Sequence, residues 1–316
     1  MLAYLVRKAV LLAASLLMAS LLVFALIEVI PGDPAAYMLG INARADTLLA
    51  LRAELGLDAA APLRYWQWIS GMMTGDFGIS YTYRVPVLDI VLERLAVSVP
   101  LALYALVLAV AMAFPAAIMA AHRKGSRGDR ALLVMTQIGI AVPNFWLAIL
   151  LVYVFSLMLG WFSAGGFDGW SEGVAQGMKA LTLPAIALAL PQAAILARVM
   201  RESLIETLRE DYIRTARAKG LTRFQALFRH GLRNALIPVL TILGMQFSFL
   251  LAGAIIIENV FFLPGLGRLV FQAIAQRDLI LVESVVFLLM VAVMTVTFLV
   301  DVAYALVDPR IRGGRP

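Results

Sequence analysis

Long stretches without any charged residue are the feature that most limits how this chain can fold. They lie at residues 9–27, 96–121, 131–167, 180–197, 234–257 and 284–300. A helix needs roughly 20 apolar residues to cross the hydrocarbon core of a bilayer, and flanking aromatic or long basic side chains can complete the shorter stretches. Because 62% of the residues are hydrophobic and only 15% are charged, lipid must be part of the solvent.

These stretches predict an all-α membrane protein with six transmembrane helices. They do not show the short alternating segments of a membrane β-barrel, so helices must satisfy the backbone hydrogen bonds in lipid. Arg7 and Lys8 before the first stretch also fit a secretory signal peptide. The length of that stretch and the further stretches behind it favour a retained first span.

Basic residues in the short loops predict the orientation. The loop at residues 122–130 and the loop after the fourth stretch are rich in Lys and Arg, so both are expected in the cytoplasm. The basic residues of the second loop are Arg201, Arg209, Arg214, Arg217, Lys219, Arg223, Arg229 and Arg233. Residues 168–179 and 258–283 contain few Lys or Arg residues and are therefore expected outside. With six spans, both termini are then expected in the cytoplasm. This asymmetry explains the net charge of +6 without a nucleic-acid partner.

The chain divides into four predicted regions. The N-terminal segment with the first span covers residues 1–30, an extracytoplasmic cap covers 31–95, the membrane core covers 96–306, and a cytoplasmic tail covers 307–316.

The cap is predicted to contain an amphipathic helix over residues 44–57 that ends at Gly56, because its leucines recur near helical spacing. Residues 79–85 are expected to form a short extended stretch. Three aromatic side chains are expected at the membrane interface rather than in a ligand cage, since aromatic belts are common there. They are Tyr65, Trp66 and Trp68.

The cytoplasmic loop at residues 201–233 has the clearest local pattern. Ile213, Ala216 and Leu221, with Ala218 between them, give a short helix one apolar stripe while the basic side chains point elsewhere.

A sharp turn should follow that helix. Gly220 suits the left-handed C-terminal position, and Thr222 with Gln225 has the spacing of a capping box that opens a second helix. We call residues 211–234 the elbow. Such an elbow is suited to docking in a groove of another protein. The alternative is a basic amphipathic helix that lies on the anionic leaflet.

Catalytic and metal-binding motifs are missing from the sequence. There is no P-loop, no His-Glu-x-x-His and no Gly-x-Ser-x-Gly, and the chain has no cysteine. His122 and His230 both lie in basic loops. The chain is therefore predicted to be no enzyme and to hold no metal and no cofactor of its own.

A few polar or charged residues lie in or near the apolar stretches. The candidates to line a translocation path are Gln137, Asn144, Gln192, Gln246 and Ser248. Hydrogen bonding between helices explains them equally well. The charged residues Glu28, Arg198, Glu258 and Asp301 lie near span ends and are expected to be interfacial anchors, which disfavours an ion-coupled carrier.

The elbow sequence also resembles a known motif. Tyr212-Ile-Arg-Thr-Ala-Arg-Ala-Lys-Gly-Leu221, followed by Arg229-His-Gly-Leu-Arg-Asn-Ala-Leu-Ile-Pro238, resembles the EAA loop by which permeases of ABC importers dock on their ATPases. Arg214 and Thr215 replace the Glu and Ala of the general motif, as is typical of the dipeptide, oligopeptide and nickel branch. The residues that this resemblance assigns to ATPase coupling are Tyr212, Arg214, Thr215, Ala216, Arg217, Ala218, Lys219, Gly220 and Leu221.

Further segments, in order along almost the whole chain, resemble the first permease subunit of that branch. They are residues 30–34, 55–58, 75–80, 86–87, 93–94, 262–267, 277–278 and 308–310. Single segments such as Pro-Gly-Asp-Pro are weak signals, but their order and spacing together are specific.

The resemblance implies a type I ABC-importer permease fold in the cytoplasmic (inner) membrane. It implies a heterodimer with a related second permease, two cytoplasmic ATPases that bind ATP and Mg, and an extracytoplasmic solute-binding protein that delivers small peptides. A nickel chelate, glutathione, an opine or another small solute remains an alternative substrate. A membrane-embedded enzyme or a stand-alone channel remains an alternative of another class.

Overall fold

The computed structural model describes residues 2–29, 33–40 and 44–307, and their regular structure is helical apart from one isolated antiparallel bridge between Ile79 and Pro86. The helices are α1 Leu2–Val29, α2 Pro34–Leu39, α3 Ala45–Glu54, α4 Ala61–Thr74, α5 Val87–His122, α6 Arg127–Ala141, α7 Asn144–Leu151, α8 Val174–Thr207, α9 Asp211–Ala218, α10 Arg223–Ala226, α11 Leu232–Val260, α12 Leu266–Ala275 and α13 Leu279–Val307. Two π-helical segments, Val152–Met158 and Leu227–Gly231, continue α7 and join α10 to α11.

Five helical segments of the described residues are long and apolar enough to cross a membrane, and α6 with α7 provides a sixth if that bent pair is one span. The candidates without a break are α1, α5, α8, α10 with α11, and α13. The all-α fold and its set of spans are thus confirmed. The terminal motif at residues 308–310, most of the tail and part of the motif at residues 30–34 lie outside the described residues.

The third apolar stretch is not the single straight helix that was expected. The chain bends by 101° between α6 and α7. Val142 is extended (φ −81°, ψ 122°) because a residue before proline is disfavoured in the α region, and Pro143 has no N–H to continue the helical ladder. Helical structure also stops at Met158, so the rest of the stretch to residue 167 is irregular.

The chain forms two compact units. Within the described residues, the core unit comprises 2–5, 99–263 and 296–307, and the N-terminal unit comprises 6–29, 33–40, 44–98 and 264–295.

The core unit is built around α8. Many of the buried residues of this helix are alanine, including Ala185, Ala187 and Ala189. Small side chains let neighbouring helices approach closely, which is how helices pack where lipid offers no hydrophobic driving force. Gly139 on α6 shows how close this approach is, because a Cβ there would lie 2.9 Å from the Cβ of Ala194 on α8.

The N-terminal unit has its own apolar core, which joins residues far apart in sequence. Val87 and Val91 at the start of α5 are buried against Leu269 of α12 and Leu281 of α13. The predicted helix in the cap is present as α3, and Gly56 takes a positive φ of 68° just after it.

A buried carboxylate holds the turn after α4 in the same unit. Asp278 is fully buried and accepts hydrogen bonds from Ser80 Oγ at 2.5 Å and from the backbone N–H groups of Tyr81 at 3.2 Å and Thr82 at 3.0 Å. Residues 79–85, expected to be extended, therefore form a tight turn closed by the Ile79–Pro86 bridge. A buried carboxylate needs this many donors to offset its desolvation.

Tyr65 and Trp68 pack inside the N-terminal unit. Their rings lie 6.2 Å apart, and both contact Phe24, while Trp68 also contacts Phe287 at 5.4 Å. Trp66 is exposed. The three neighbouring aromatic residues therefore differ in their surroundings, and their position at the membrane interface stays a prediction.

Candidate functional site

The elbow has the local geometry that its sequence predicts. Helix α9 ends at Ala218, and Gly220 takes a left-handed φ of 94°. The N–H of Gly220 donates to Arg217 O at 3.0 Å, and the N–H of Leu221 donates to Ala216 O at 3.4 Å. Only glycine adopts this backbone conformation at little cost, so Gly220 sets the angle at which the chain leaves α9.

The second helix starts with the predicted capping box. Thr222 Oγ1 accepts from the N–H of Gln225 at 3.2 Å, and Gln225 Oε1 accepts from the N–H of Thr222 at 3.0 Å. From Arg223 the chain is helical without a break to Val260. One end of the elbow is thus the start of the fifth span.

The inner face of the elbow is a small apolar cluster. Ile213 and Ala226 are fully buried and Ala216 is 9% exposed. Leu208 and Leu221 pack against them. The predicted stripe is confirmed for Ile213, Ala216 and Leu221, whereas Ala218 is exposed and does not belong to it.

The outer face of the elbow is exposed, aromatic and basic. Tyr212, Phe224 and Phe228 are each 40–49% exposed, and the two phenylalanine rings lie 4.7 Å apart. Arg214, Thr215, Arg217 and Lys219 are exposed as well. Exposed aromatic residues beside arginines are typical of protein interfaces. We call this the outer surface of the elbow.

Several contacts attach α9 and α10 of the elbow to the long helices α5 and α11 of the core unit. Asn234 Nδ2 donates to Tyr212 Oη at 2.7 Å, and an Arg223 guanidinium N–H donates to Ala121 O at 3.4 Å. The ring of His122, at the end of α5, meets the ring of Phe224 edge to face at 5.4 Å. A displacement of the elbow would therefore be transmitted to α5 and α11 together.

An ion pair between α6 and α8 was missed by the sequence analysis. Arg201 donates through Nε to Asp129 Oδ1 at 2.5 Å and through a terminal nitrogen to Oδ2 at 2.8 Å. Asp129 is 2% and Arg201 9% exposed. Arg201 is therefore not a loop cation, because α8 continues through Thr207. The available signal was Asp129 itself, the single acid among the basic residues of the loop at residues 122–130.

The five candidate lining residues do not form a single polar group. Gln192 and Gln246 are buried, and the Oε1 atom of each has no partner among the described residues. Gln137 is exposed and accepts a long bond of 3.5 Å from Arg198. Asn144 and Ser248 are half-buried. Of the five, only the two buried glutamines have a polar atom without a hydrogen-bond partner among the described residues. Such an atom is expected where a residue lines a water-filled path or binds an ordered water molecule.

The anchor interpretation fails for Glu258. Its side chain is fully buried at the end of α11 rather than exposed at an interface.

Two family profiles match the chain. The profile of the binding-protein-dependent transport system inner membrane component matches residues 113–313, and that of the N-terminal part of such membrane components matches residues 1–102. A probable peptide ABC transporter permease protein of Sinorhizobium fredii is 38% identical over 98% of this chain and 99% of its own length. The glutathione transport system permease protein of Escherichia coli K12 is 38% identical over 99% of both chains.

Solved structures support the same fold. An inward-facing methionine ABC transporter structure matches with a TM-score of 0.56 at 16% identity, covering 70% of this chain and 97% of its own.

Proposed function

Because this chain belongs to the family of binding-protein-dependent transport system inner membrane components, we propose that it is the first permease subunit of an ABC importer that moves small peptides across the cytoplasmic membrane. It is a multi-pass inner membrane protein and a transporter subunit. The near full-length similarity to a peptide permease and to a glutathione permease supports the substrate class, since glutathione is itself a short peptide.

The proposed assembly contains a related second permease, two cytoplasmic ATPases and an extracytoplasmic binding protein. ATP and Mg would be bound by the ATPases. This division of labour is supported by the sequence, which contains no P-loop.

The observation that best supports the proposal is the elbow, with its buried inner cluster and exposed outer surface. The outer surface would lie in a groove of an ATPase, while the contacts of Tyr212 and Phe224 attach the elbow to α11 and α5. Closure of the ATPase dimer on ATP would then move these helices and favour the outward-open state of the permease. The two buried glutamines, Gln192 and Gln246, are the best placed of the five candidates to line the path.

Two substitutions test the coupling role. Ala216→Glu places a carboxylate in the apolar cluster, and Gly220→Pro demands a φ near −65° where the chain has 94°. In proteoliposomes with all subunits, we expect both variants to remain in the membrane but to lose ATP-driven peptide uptake. Ala53→Glu, at an exposed position of α3, is the matched control and should transport normally.

The outcome that would contradict the docking role is normal uptake by both variants. Solute flux through the chain without its ATPases would instead favour a stand-alone channel.

The substrate is tested separately. The complex is purified with its native partners, and mass spectrometry identifies the proteins and any small molecule held by the binding protein. A bound short peptide would support the proposal. A bound nickel chelate or opine would show that the substrate is a different one, but it would not contradict the coupling role.

A further inference from the structure

The N-terminal unit contains a half-open cavity that the proposed transport cycle does not use. Its volume is about 450 Å³, within the range of small-molecule sites. The described residues that line it all belong to this one unit and lie chiefly on α1, α3, α4, the turn after α4 and the start of α13.

The walls combine carboxylates with two guanidinium groups, each of which forms a salt bridge with one of these carboxylates. Arg52 binds Asp33 at 2.7 Å, and Arg64 is bonded to both carboxylate oxygens of Glu28. Asp76 accepts a hydrogen bond from the N–H of Gly78 at 2.9 Å. Each cation is thus matched by one carboxylate, which leaves Asp76 and Glu283 as the lining carboxylates without a salt bridge among the described residues and gives the cavity an excess of negative charge.

Glu283 has no such partner. It lines the cavity and is 8% exposed. No hydrogen bond or salt bridge joins it to another described residue, and the cation that acts on it is Arg64, which is already bonded to Glu28. Burying a carboxylate without a partner is costly, so the group calls for a ligand that donates hydrogen bonds or has a positive charge.

Aromatic rings form the rest of the surroundings. Phe24, Trp68, Phe77 and Tyr81 all line the cavity. Burial, and then the charges of Glu283 and Asp278, raise the pKa of Tyr81 to about 12, so its phenol stays neutral at physiological pH. Ring faces attract organic cations, and neutral phenols do not repel them.

We propose that this cavity is a binding site for a small organic ammonium ion. The ammonium group would bond to the Glu283 carboxylate, and the hydrocarbon part would lie against the aromatic rings. A metal ion fits less well, because no cluster of three or more His, Cys, Asp or Glu ligands occurs among the described residues. The buried Nε atom of Arg64 has no partner among the described residues, but an anion bound there would meet the carboxylates of Glu28 and Glu283 beside it.

Phenethylammonium is a suitable probe, with phenethyl alcohol as its neutral counterpart. Binding is measured by calorimetry on the assembled transporter in nanodiscs. We expect saturable binding of the amine and at least about tenfold weaker binding of the alcohol, since one charge-assisted bond distinguishes them. Glu283→Gln should weaken amine binding by about tenfold or more, whereas Glu172→Gln, at an exposed position of the core unit, should not change it.

Absence of saturable binding, equal affinity for amine and alcohol, or full affinity in Glu283→Gln would overturn the proposal. A second measurement covers the case that Glu283→Gln does not assemble. Dicyclohexylcarbodiimide labels carboxyl groups in apolar surroundings, and mass spectrometry locates the adduct. Phenethylammonium should protect Glu283 from labelling in the unaltered protein, and labelling that the amine does not reduce would contradict the site.

Discussion

The roles of buried charged residues are the hardest to predict from the sequence. Arg201 and Glu283 were both assigned to loops, because each follows or precedes a charge-free stretch. The structure places Arg201 against Asp129, 72 positions away, and Glu283 on a cavity wall. Tertiary packing decides which residue pairs with a buried charge, so the neighbouring sequence does not predict the partner.

The Arg201–Asp129 pair gives the prediction at this scale. Removing one partner leaves the other charge buried and unpaired, so Asp129→Ala should destabilise the protein by about 3–5 kcal/mol. The measurement is the loss of thermal stability of the purified transporter. Glu202→Ala is the control on the same helix, because its pair with Arg198 spans 3.7 Å and is exposed, and it should cost about 0–1 kcal/mol.

A double variant separates the ion pair from simple loss of packing. Asp129→Leu combined with Arg201→Met removes both charges and should recover much of the lost stability, since apolar replacements of a buried pair are often neutral. If Asp129→Ala and Glu202→Ala lower the thermal stability equally, the buried pair contributes no more to stability than the exposed pair does.

At the scale of single elements, the sequence predicted those features that depend on neighbouring residues. The elbow was predicted because Gly220, Thr222 and Gln225 act within a few positions of one another. The turn at residues 79–85 was not, because Asp278 holds it from almost 200 positions away. The bend at Pro143 was missed because counting charges alone detects apolarity and not the backbone limits of proline.

The capping box provides the prediction for an element. Thr222→Ala removes the acceptor of the Gln225 N–H and should weaken the start of α10 by about 1 kcal/mol. Hydrogen exchange followed by mass spectrometry should therefore show faster exchange over residues 223–226. Thr222→Ser keeps a hydroxyl at the same position and is expected to exchange like the original chain. If both variants exchange alike, the hydroxyl does not cap this helix.

At the scale of the whole molecule, the number of spans followed from composition but the grouping of the spans did not. Charge-free stretches revealed each helix separately, since burial in lipid is a property of a single segment. That residues 264–295 share a core with residues 6–98 depends on contacts such as Leu281 with Val87 and Val91. Packing between residues so far apart produces no periodic pattern in the sequence, so it could not be predicted.

The orientation of the molecule is the remaining large-scale prediction, and the absence of cysteine makes it simple to test. Single cysteines replace Lys124 and Lys219, expected in the cytoplasm, and Asp46 and Glu172, expected outside; all four positions are exposed. A membrane-impermeant maleimide applied to intact cells should label the cysteines at 46 and 172, and label those at 124 and 219 only after permeabilisation, because basic loops are retained inside. The opposite pattern would place the elbow on the outer face, where no ATPase could reach it, and would refute the coupling role together with the orientation.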